Sequence, residues 1–298
     1  VEDTNSDTSI PGANLIAGIG YISGVKCMIM IDDSGIKAGA ASEATIDKAL
    51  GCLDIALKQK LPCVHLVESA GVDLPNYSVK LWSKFGSVFY KKAKLSAAGI
   101  PVIAILHGFS TAGGAYQIGM SDYVIGVKGN GMAALAGSAL LKAATGEDAT
   151  NNDIGGVEMH SVVTGSVEYL VNDDAESIVT VHKLIDQLNW NENDAQKTTL
   201  NFEDPEYPIE DLAGIVPTDY SKGYDVREVI ARLVDKSGFI ELKPKYGLSM
   251  VCAQAKIEGI QCGIIANNGP IDTKGATKAA QFIQLCDQAN VPLIFLSN

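Results

Sequence analysis

The sequence predicts an α/β protein in which helices cover a largely parallel sheet. Three observations carry that reading: apolar runs of strand length alternate with amphipathic helical stretches, part of the alternation occurs twice, and a glycine-rich turn joins a buried strand to a helix. Lys26 to Ile31 reads as a strand. From Ala41 to Lys60, the residues Ile46, Leu50, Leu53 and Leu57 recur at helical spacing. Pro62 to Val67 is a short apolar strand, followed by a helix with Leu81, Phe85, Val88 and Phe89 on one face. The strand Pro101 to Leu106 runs into HGFSTAGGAYQIGMSD, where a helix starts near Gly113 or Gly114, and Tyr123 to Val127 is the next strand.

The rhythm stops at Asn189. NWNENDAQKTTLNFEDPEYPIEDL is polar and acidic and carries Pro205 and Pro208, so residues 189–224 read as a linker. A helical stretch, Val226 to Val234, opens a second half that repeats the first. YISGVKCMIMIDDSG (Tyr21 to Gly35) matches KIEGIQCGIIANNGP (Lys256 to Pro270), with Gly24 on Gly259 and Cys27 on Cys262 at an offset of 235. KLPCVHLVES (Lys60 to Ser69) matches NVPLIFLSN, with Pro62 on Pro292 and Leu66 on Leu296 at an offset of 230. Paired Gly, Cys and Pro over both segments make duplication the better explanation than chance. The expected organisation is a floppy start over 1–14, a first domain over 15–188, the linker, and the beginning of a second domain over 225–298.

Composition narrows the partners. With 298 residues, 47% apolar and 19% charged, the chain can bury a large core. A net charge of -12 without any block of Lys or Arg argues against nucleic acid and anionic membrane surfaces. No run approaches the roughly 18 to 20 apolar residues of a membrane span. Cys27, Cys52, Cys63, Cys252, Cys262 and Cys286 fall at no metal-ligand spacing and read as buried thiols, so no bound metal is expected. His65 lies inside an apolar strand and reads as a core residue, and His182 as a solvated one.

The chemistry centres on HGFSTAGGAYQIG. Glycines at a strand-to-helix turn permit positive φ and close approach of a ligand, and the free N–H groups of a helix start can meet developing negative charge. The same turn can equally be structural. ESAG (Glu68 to Gly71) leaves the preceding long strand in a similar position and can bring a second amide to the same carbonyl, which suits an enolate made from a thioester. Ser110 is no hydrolase nucleophile, because Gly108-Phe109-Ser110-Thr111-Ala112 lacks the second Gly of a nucleophile elbow. Glu147 and Glu158 read as a cap and a solvated helix residue, and no His, Asp or Glu dyad emerges.

GIGYISGVKC, LPCVHLVESAG, STAGGAY with SDYV, LLKAATGE, DIGGVEMH and YDVREVIAR resemble, in the same order, blocks of the carboxyltransferase β subunits of biotin-dependent acyl-CoA carboxylases. The resemblance runs from Leu15 to Asn298. Within the family it is strongest to the geranyl-CoA and 3-methylcrotonyl-CoA carboxylase branch, through Lys37 in SGIKAG, STAGGAY and KAATGE. It implies a crotonase-like fold in two homologous domains, and transfer of the carboxyl group of carboxybiotin to the γ-carbon of a branched enoyl-CoA. The ureido nitrogen released from carboxybiotin can take the substrate proton, which explains the missing dyad. Catalytic amides are then expected at Gly71, Gly114 and Ala115, with acyl-CoA contacts from Lys37, Ala70, Thr111, Ala112, Gly113, Tyr116, Gly137 and Lys142. Lys37 can instead sit on a surface loop, Lys142 on a solvated helix face, and His160 can orient a loop as readily as touch ligand. The implied cofactor is biotin, carried with the biotin carboxylase on a partner α subunit, alongside the coenzyme A thioester and no metal. A β hexamer in the cytoplasm, or in the mitochondrial matrix of a eukaryote, follows by the same resemblance.

Two departures and one ending qualify that expectation. The family's Ser-Gly-Gly-Ala is Ser69-Ala70-Gly71-Val72 here, and its Ala-Gly-Pro-Pro is Ala136-Gly137-Ser138-Ala139. The first is expected to restrict the torsions of one donor, the second to loosen a loop. VPLIFLSN is the second copy of LPCVHLVE, yet the equivalents of Ser69 to Gly71 and of STAGGAY do not follow it, so the second domain is expected to be truncated and the chain unable to complete transfer alone. The alternatives are a carboxyltransferase for propionyl-CoA or in a decarboxylase assembly, and a noncatalytic CoA-binding or scaffold subunit.

Overall fold

The computed structural model describes residues 13–76, 78–188, 190, 202–219 and 221–297. Residues 1–12 of the floppy start expected over 1–14, residues 189, 191–201 and 220 of the expected linker, and Tyr77 and Asn298 lie outside the described residues. The chain divides into two compact units, Val1–His182 and Lys183–Asn298.

The strands of the first unit are β1 (Leu15–Ile22), β2 (Val25–Asp32), β3 (Cys63–Val67), β4 (Val102–Leu106), β5 (Phe109–Thr111), β6 (Tyr123–Val127), β7 (Met132–Ala134) and β8 (Tyr169–Val171). Six of them form a sheet in the order β1-β2-β3-β4-β6-β8. β1 and β2 are an antiparallel hairpin, and every later pair in that sheet is parallel. β5 and β7 make a separate parallel pair. β4 and β6 are buried along their whole length, as expected of parallel strands covered on both faces, and this is why they stand out as continuous apolar runs.

The helices are α1 (Glu43–Gln59), α2 (Val79–Ala97), α3 (Gly113–Gly119), α4 (Ser138–Thr145), α5 (Asn151–Gly155), α6 (Val157–Met159) and α7 (Asp174–Leu188). Ser42 opens α1 through a capping box with Thr45, and Lys60 ends it in the left-handed conformation. The Ser78 side chain accepts from Leu81 N to open α2. The buried face of α2 holds Leu81, Phe85, Val88 and Leu95, and also Lys92.

In the second unit α8 (Leu212–Ile215) and α9 (Val226–Ile230) precede β9 (Phe239–Glu241), β10 (Met250–Ile257), β11 (Ile260–Asn267), α10 (Thr273–Gln288) and β12 (Leu293–Leu296). The sheet order is β12-β11-β10-β9. The helix expected over 226–234 ends early, at Ile230, and continues as turns to a short 3-10 segment, Asp235–Ser237.

The repeat read from sequence is a repeat of geometry. Leu15 pairs with Asp32 and Ile22 with Val25 in one hairpin, as Met250 pairs with Asn267 and Ile257 with Ile260 in the other, all at the offset of 235. The turns match too: Ser23-Gly24 has φ of 48° and 78°, and Glu258-Gly259 has 51° and 77°. Met28 faces Cys63 across β2 and β3, as Gly263 faces Leu293 across β11 and β12. The helix start (Ser42, Asp272), the left-handed residue after it (Lys60, Asn290) and the following strand all keep the offset of 230. Each unit therefore carries the same hairpin, helix and strand.

Candidate active site

Ligands of open α/β sheets gather beyond the carboxyl ends of the strands, and three connections meet there in the first unit: the loop after β2, the loop after β3, and the turn from β5 into α3. They are interlocked through the backbone. Ala41 N donates to Gly71 O at 2.7 Å, Asp73 N to Ala41 O at 3.2 Å, Ala70 N to Ala38 O at 3.1 Å and Thr111 N to Ser69 O at 2.9 Å. The buried Ser69 hydroxyl donates to Gly39 O at 2.9 Å and accepts from Gly71 N at 3.2 Å.

Two glycines make this approach possible. A Cβ on Gly114 would lie 2.3 Å from Ser69 O, and one on Gly39 would lie 2.2 Å from Glu68 O. Gly71, at φ +89°, sits directly over the start of α3: its Cβ position is 3.2 Å from Gly113 N. Glu68 turns its carboxyl group against Gly108.

The residue before α3, Ala112, holds φ 49° and ψ -119°, a conformation natural to glycine and costly for alanine, of order 1–3 kcal/mol. Its N–H is shared between Ala134 O and Leu135 O, each at 3.1 Å, while the β5-β7 ladder fixes the residues just before it. His160 Nε2 lies 2.8 Å from Ala133 O, so this side chain braces β7. The helix start that follows leaves a pair of open donors. Among the described residues, the N–H groups of Gly113 and Gly114 meet no protein acceptor, whereas Ala115 N donates to Ala112 O at 3.2 Å.

The sequence-selected residues separate accordingly. Gly71, Ala70, Thr111, Ala112, Gly113, Gly114 and Ala115 come together at the turn. Tyr116 follows on α3 with its ring half exposed and 5.4 Å from Phe89, which stands edge-on to Phe85. Lys37 reaches Asp73 at 3.1 Å. The Asp73 carboxyl is held below its usual range, first by Asn76 and then by Lys37. Gly137 caps α4, two residues beyond Leu135. Lys142 lies on the exposed face of α4, 2.7 Å from Asp148.

Both departures prove harmless to the backbone. Ala70 keeps a negative φ, so a side chain there carries no torsional penalty. Ser138 donates its N–H to Asn151 Oδ1 at 2.8 Å, a bond proline could not make, so the α4 entrance is pinned instead of loosened.

Beneath the turn lies a group that strand and helix patterns did not single out. His65 Nε2 is 3.1 Å from Asp32 Oδ1, and Asp32 Oδ2 accepts from Glu68 N at 3.2 Å. Lys92 Nζ is 3.4 Å from both His65 Nδ1 and Gln117 O. Its position four residues after Val88 and seven after Phe85 is the signal that it faces inward.

Burial pushes the Lys92 ammonium down from 10.5 to about 8, against the pull of Cys63 and Asp32. The unfolded chain keeps that proton to 10.5, so between these values the unfolded state binds more protons and stability rises with pH. At about 1.4 kcal/mol per unit, the rise totals roughly 3 to 4 kcal/mol. Denaturant unfolding from pH 7.5 to 10.5 should show this slope in the wild-type chain relative to Lys92→Met; parallel curves would refute it.

In the second unit a cleft of about 620 Å³ opens beside Tyr224, Asn267, Asn268, Ile271 and Ser297. Under the repeat, Asn267 corresponds to Asp32 at the end of β2.

The carboxyl transferase domain family matches residues 1–298. The chain is 42% identical over 291 residues to a mitochondrial methylcrotonoyl-CoA carboxylase beta chain of Dictyostelium discoideum, covering 97% of this chain and 49% of that one. It is 42% identical over 288 residues to a probable biotin-dependent acyl-coenzyme A carboxylase beta2 subunit of Mycobacterium tuberculosis, covering 96% and 54%. Among solved structures, the transcarboxylase 12S hexamer core with methylmalonyl-coenzyme A and methylmalonic acid bound superposes with a TM-score of 0.88 at 31% identity, over 96% of this chain and 56% of that one. The geranyl-CoA carboxylase beta subunit of P. aeruginosa is more similar in sequence, at 44%, and superposes less fully, with a TM-score of 0.56 over 96% and 54%. The chain spans about half the length of the curated relatives it matches.

Proposed function

Since the chain belongs to the carboxyl transferase domain family, with its crotonase-like α/β fold, we propose that it serves a biotin-dependent acyl-CoA carboxylase by accepting a branched enoyl-CoA, geranyl-CoA or 3-methylcrotonyl-CoA, for carboxylation at the γ-carbon. The observation that carries this is the pair of unengaged N–H groups at Gly113 and Gly114, at the helix start that follows the strained Ala112. Aimed at a thioester oxygen, such donors stabilise the dienolate that forms when the γ-carbon loses its proton. Carboxybiotin, borne by a partner α subunit, supplies the carboxyl group.

Each residue then has a task. Gly114 and Gly113 hold the oxygen. Gly71 closes over them from the loop after β3, with its N–H turned to Ser69, and Ala115 secures the first turn of α3. Tyr116, with Phe89 behind it, forms an apolar wall for the acyl chain. Lys37 stands ready for a CoA phosphate, held meanwhile by Asp73. The cleft at Asn267 and Tyr224 is a candidate seat for the biotin ureido group, and a β hexamer and a cytoplasmic or mitochondrial-matrix setting accompany this reading. The relatives include both mitochondrial and bacterial proteins.

The test uses the full-length β chain assembled with its biotin-carrying partner. Carboxylation of geranyl-CoA or 3-methylcrotonyl-CoA is the expected result. Turnover of propionyl-CoA alone would move the substrate class, and tight acyl-CoA binding without turnover would favour a noncatalytic subunit.

A further inference from the structure

A buried ammonium, imidazole and carboxylate in one line is an expensive thing to keep in a core, and the proposed reaction uses none of them to move a proton. Lys92 is fully buried, His65 is 5% exposed and neither reaches the open donors. What the three do reach is the backbone on both sides of those donors. Asp32 holds Glu68 N, at the head of the loop that carries Ser69 and Gly71. Lys92 holds Gln117 O, three residues after Gly114 on the seven-residue α3. His65 joins the two: it donates from Nε2 to Asp32 while Nδ1 faces the Lys92 ammonium, and desolvation keeps its pKa below the ordinary value.

The line thus crosses four elements, β2, β3, α2 and α3, and fixes one loop against the other. A cavity of about 30 Å³ lies alongside, lined by Asp32, His65, Ser69 and Gln117. Gln117 Oε1, buried and without a protein partner, belongs to that lining, and the space is that of a single water. A hydrophobic replacement of the same volume would pack at least as well, so packing alone does not account for the charges.

We infer that Asp32, His65 and Lys92 are positioning residues that set the loop after β3 against the start of α3, and so set the geometry of the oxygen-binding amides. The inference rests on the carboxyl-transfer reading for its kinetic consequence and on geometry alone for its structural one, so two measurements keep the two apart.

Lys92→Met, His65→Gln and Asp32→Asn are made in the full-length chain. Amide hydrogen exchange is followed at residues 68–71 and 115–117, and carboxylation is assayed in the assembled enzyme. At least about a tenfold faster exchange at both segments is expected, with strands of the other unit such as β10 unchanged. In the enzyme kcat should fall at least about tenfold, while KM for acyl-CoA stays within about threefold, because misplacing the amides costs the transition state more than the bound substrate. Unchanged exchange at both segments in the variants that fold overturns the inference whatever the enzyme does. Exchange accelerated in both segments of the variants, alongside a wild-type enzyme that carboxylates nothing, would uphold the positioning line and sink the carboxyl-transfer reading instead. A variant with faster exchange and wild-type kcat in an active enzyme would overturn the positioning role.

Discussion

Gly114→Ala in the assembled enzyme is expected to lower carboxyl transfer by at least about a hundredfold, the loss typical of removing an oxyanion donor. The added Cβ would stand 2.3 Å from Ser69 O and 3.1 Å from Ser69 Cβ. Both are parts of a loop locked to Gly39, Ala41 and Thr111, so neither can yield without carrying the other turn away. The substitution therefore parts the loops that the proposed site needs together. A milder loss of stability, about 1–3 kcal/mol, accompanies it as overpacking. Gly119→Ala is the control: it lies on the same helix with open space around its Cβ position, and should leave transfer unchanged while gaining a little helix stability. Normal turnover in Gly114→Ala would refute the assignment of these amides.

Gly39→Ala is expected to be the more damaging change to the fold. Its φ of +72° penalises a side chain by about 1–2 kcal/mol, and the Cβ would also meet Glu68 O at 2.2 Å and Ser69 Cα at 3.0 Å. Strain and overpacking together should cost at least about 3 kcal/mol in denaturant unfolding. Gly24→Ala separates the two contributions, because φ is +78° there with nothing within 4 Å of the new methyl group. Only the torsional cost, about 1 kcal/mol, should remain. Equal losses at the two positions would show that the close approach at Gly39 carries no energy.

Why some of this was legible and some was not follows from what each residue depends on. β3, β4 and β6 could be read because strands covered on both faces keep an apolar run that needs no context. β1 escaped: only Leu15 and Ile22, at its two ends, are buried, and Gly18 and Gly20 interrupt the run between them. β5 and β7, three residues each, are below the length at which alternation means anything. The turn at Ala112 to Gly114 was legible from its glycines, but which amides remain open was not, since that depends on Ser69 Oγ and Ala112 O taking the protons of Gly71 and Ala115. Ala70 and Ser138 looked like losses because sequence records the residue type and not the φ or the donor it uses. Lys92 is the sharpest case. KKAK on a helix suggests solvent, and only the pairing of β3 beside β2 and the placement of α2 bring His65 and Asp32 to meet it.

The two copies of the hairpin, helix and strand share one register throughout and differ in length at a single joint. Ten residues, 33–42, connect β2 to α1, and five, 268–272, connect β11 to α10. The longer connection is the one whose Ala38, Gly39 and Ala41 grip the loop after β3. The difference between the two copies thus sits in a connector while the frame is shared, as a tool handle accepts different heads. The frame is in that sense a portable module: exchanging the two connectors should transplant the grip without disturbing a single strand pairing in either copy.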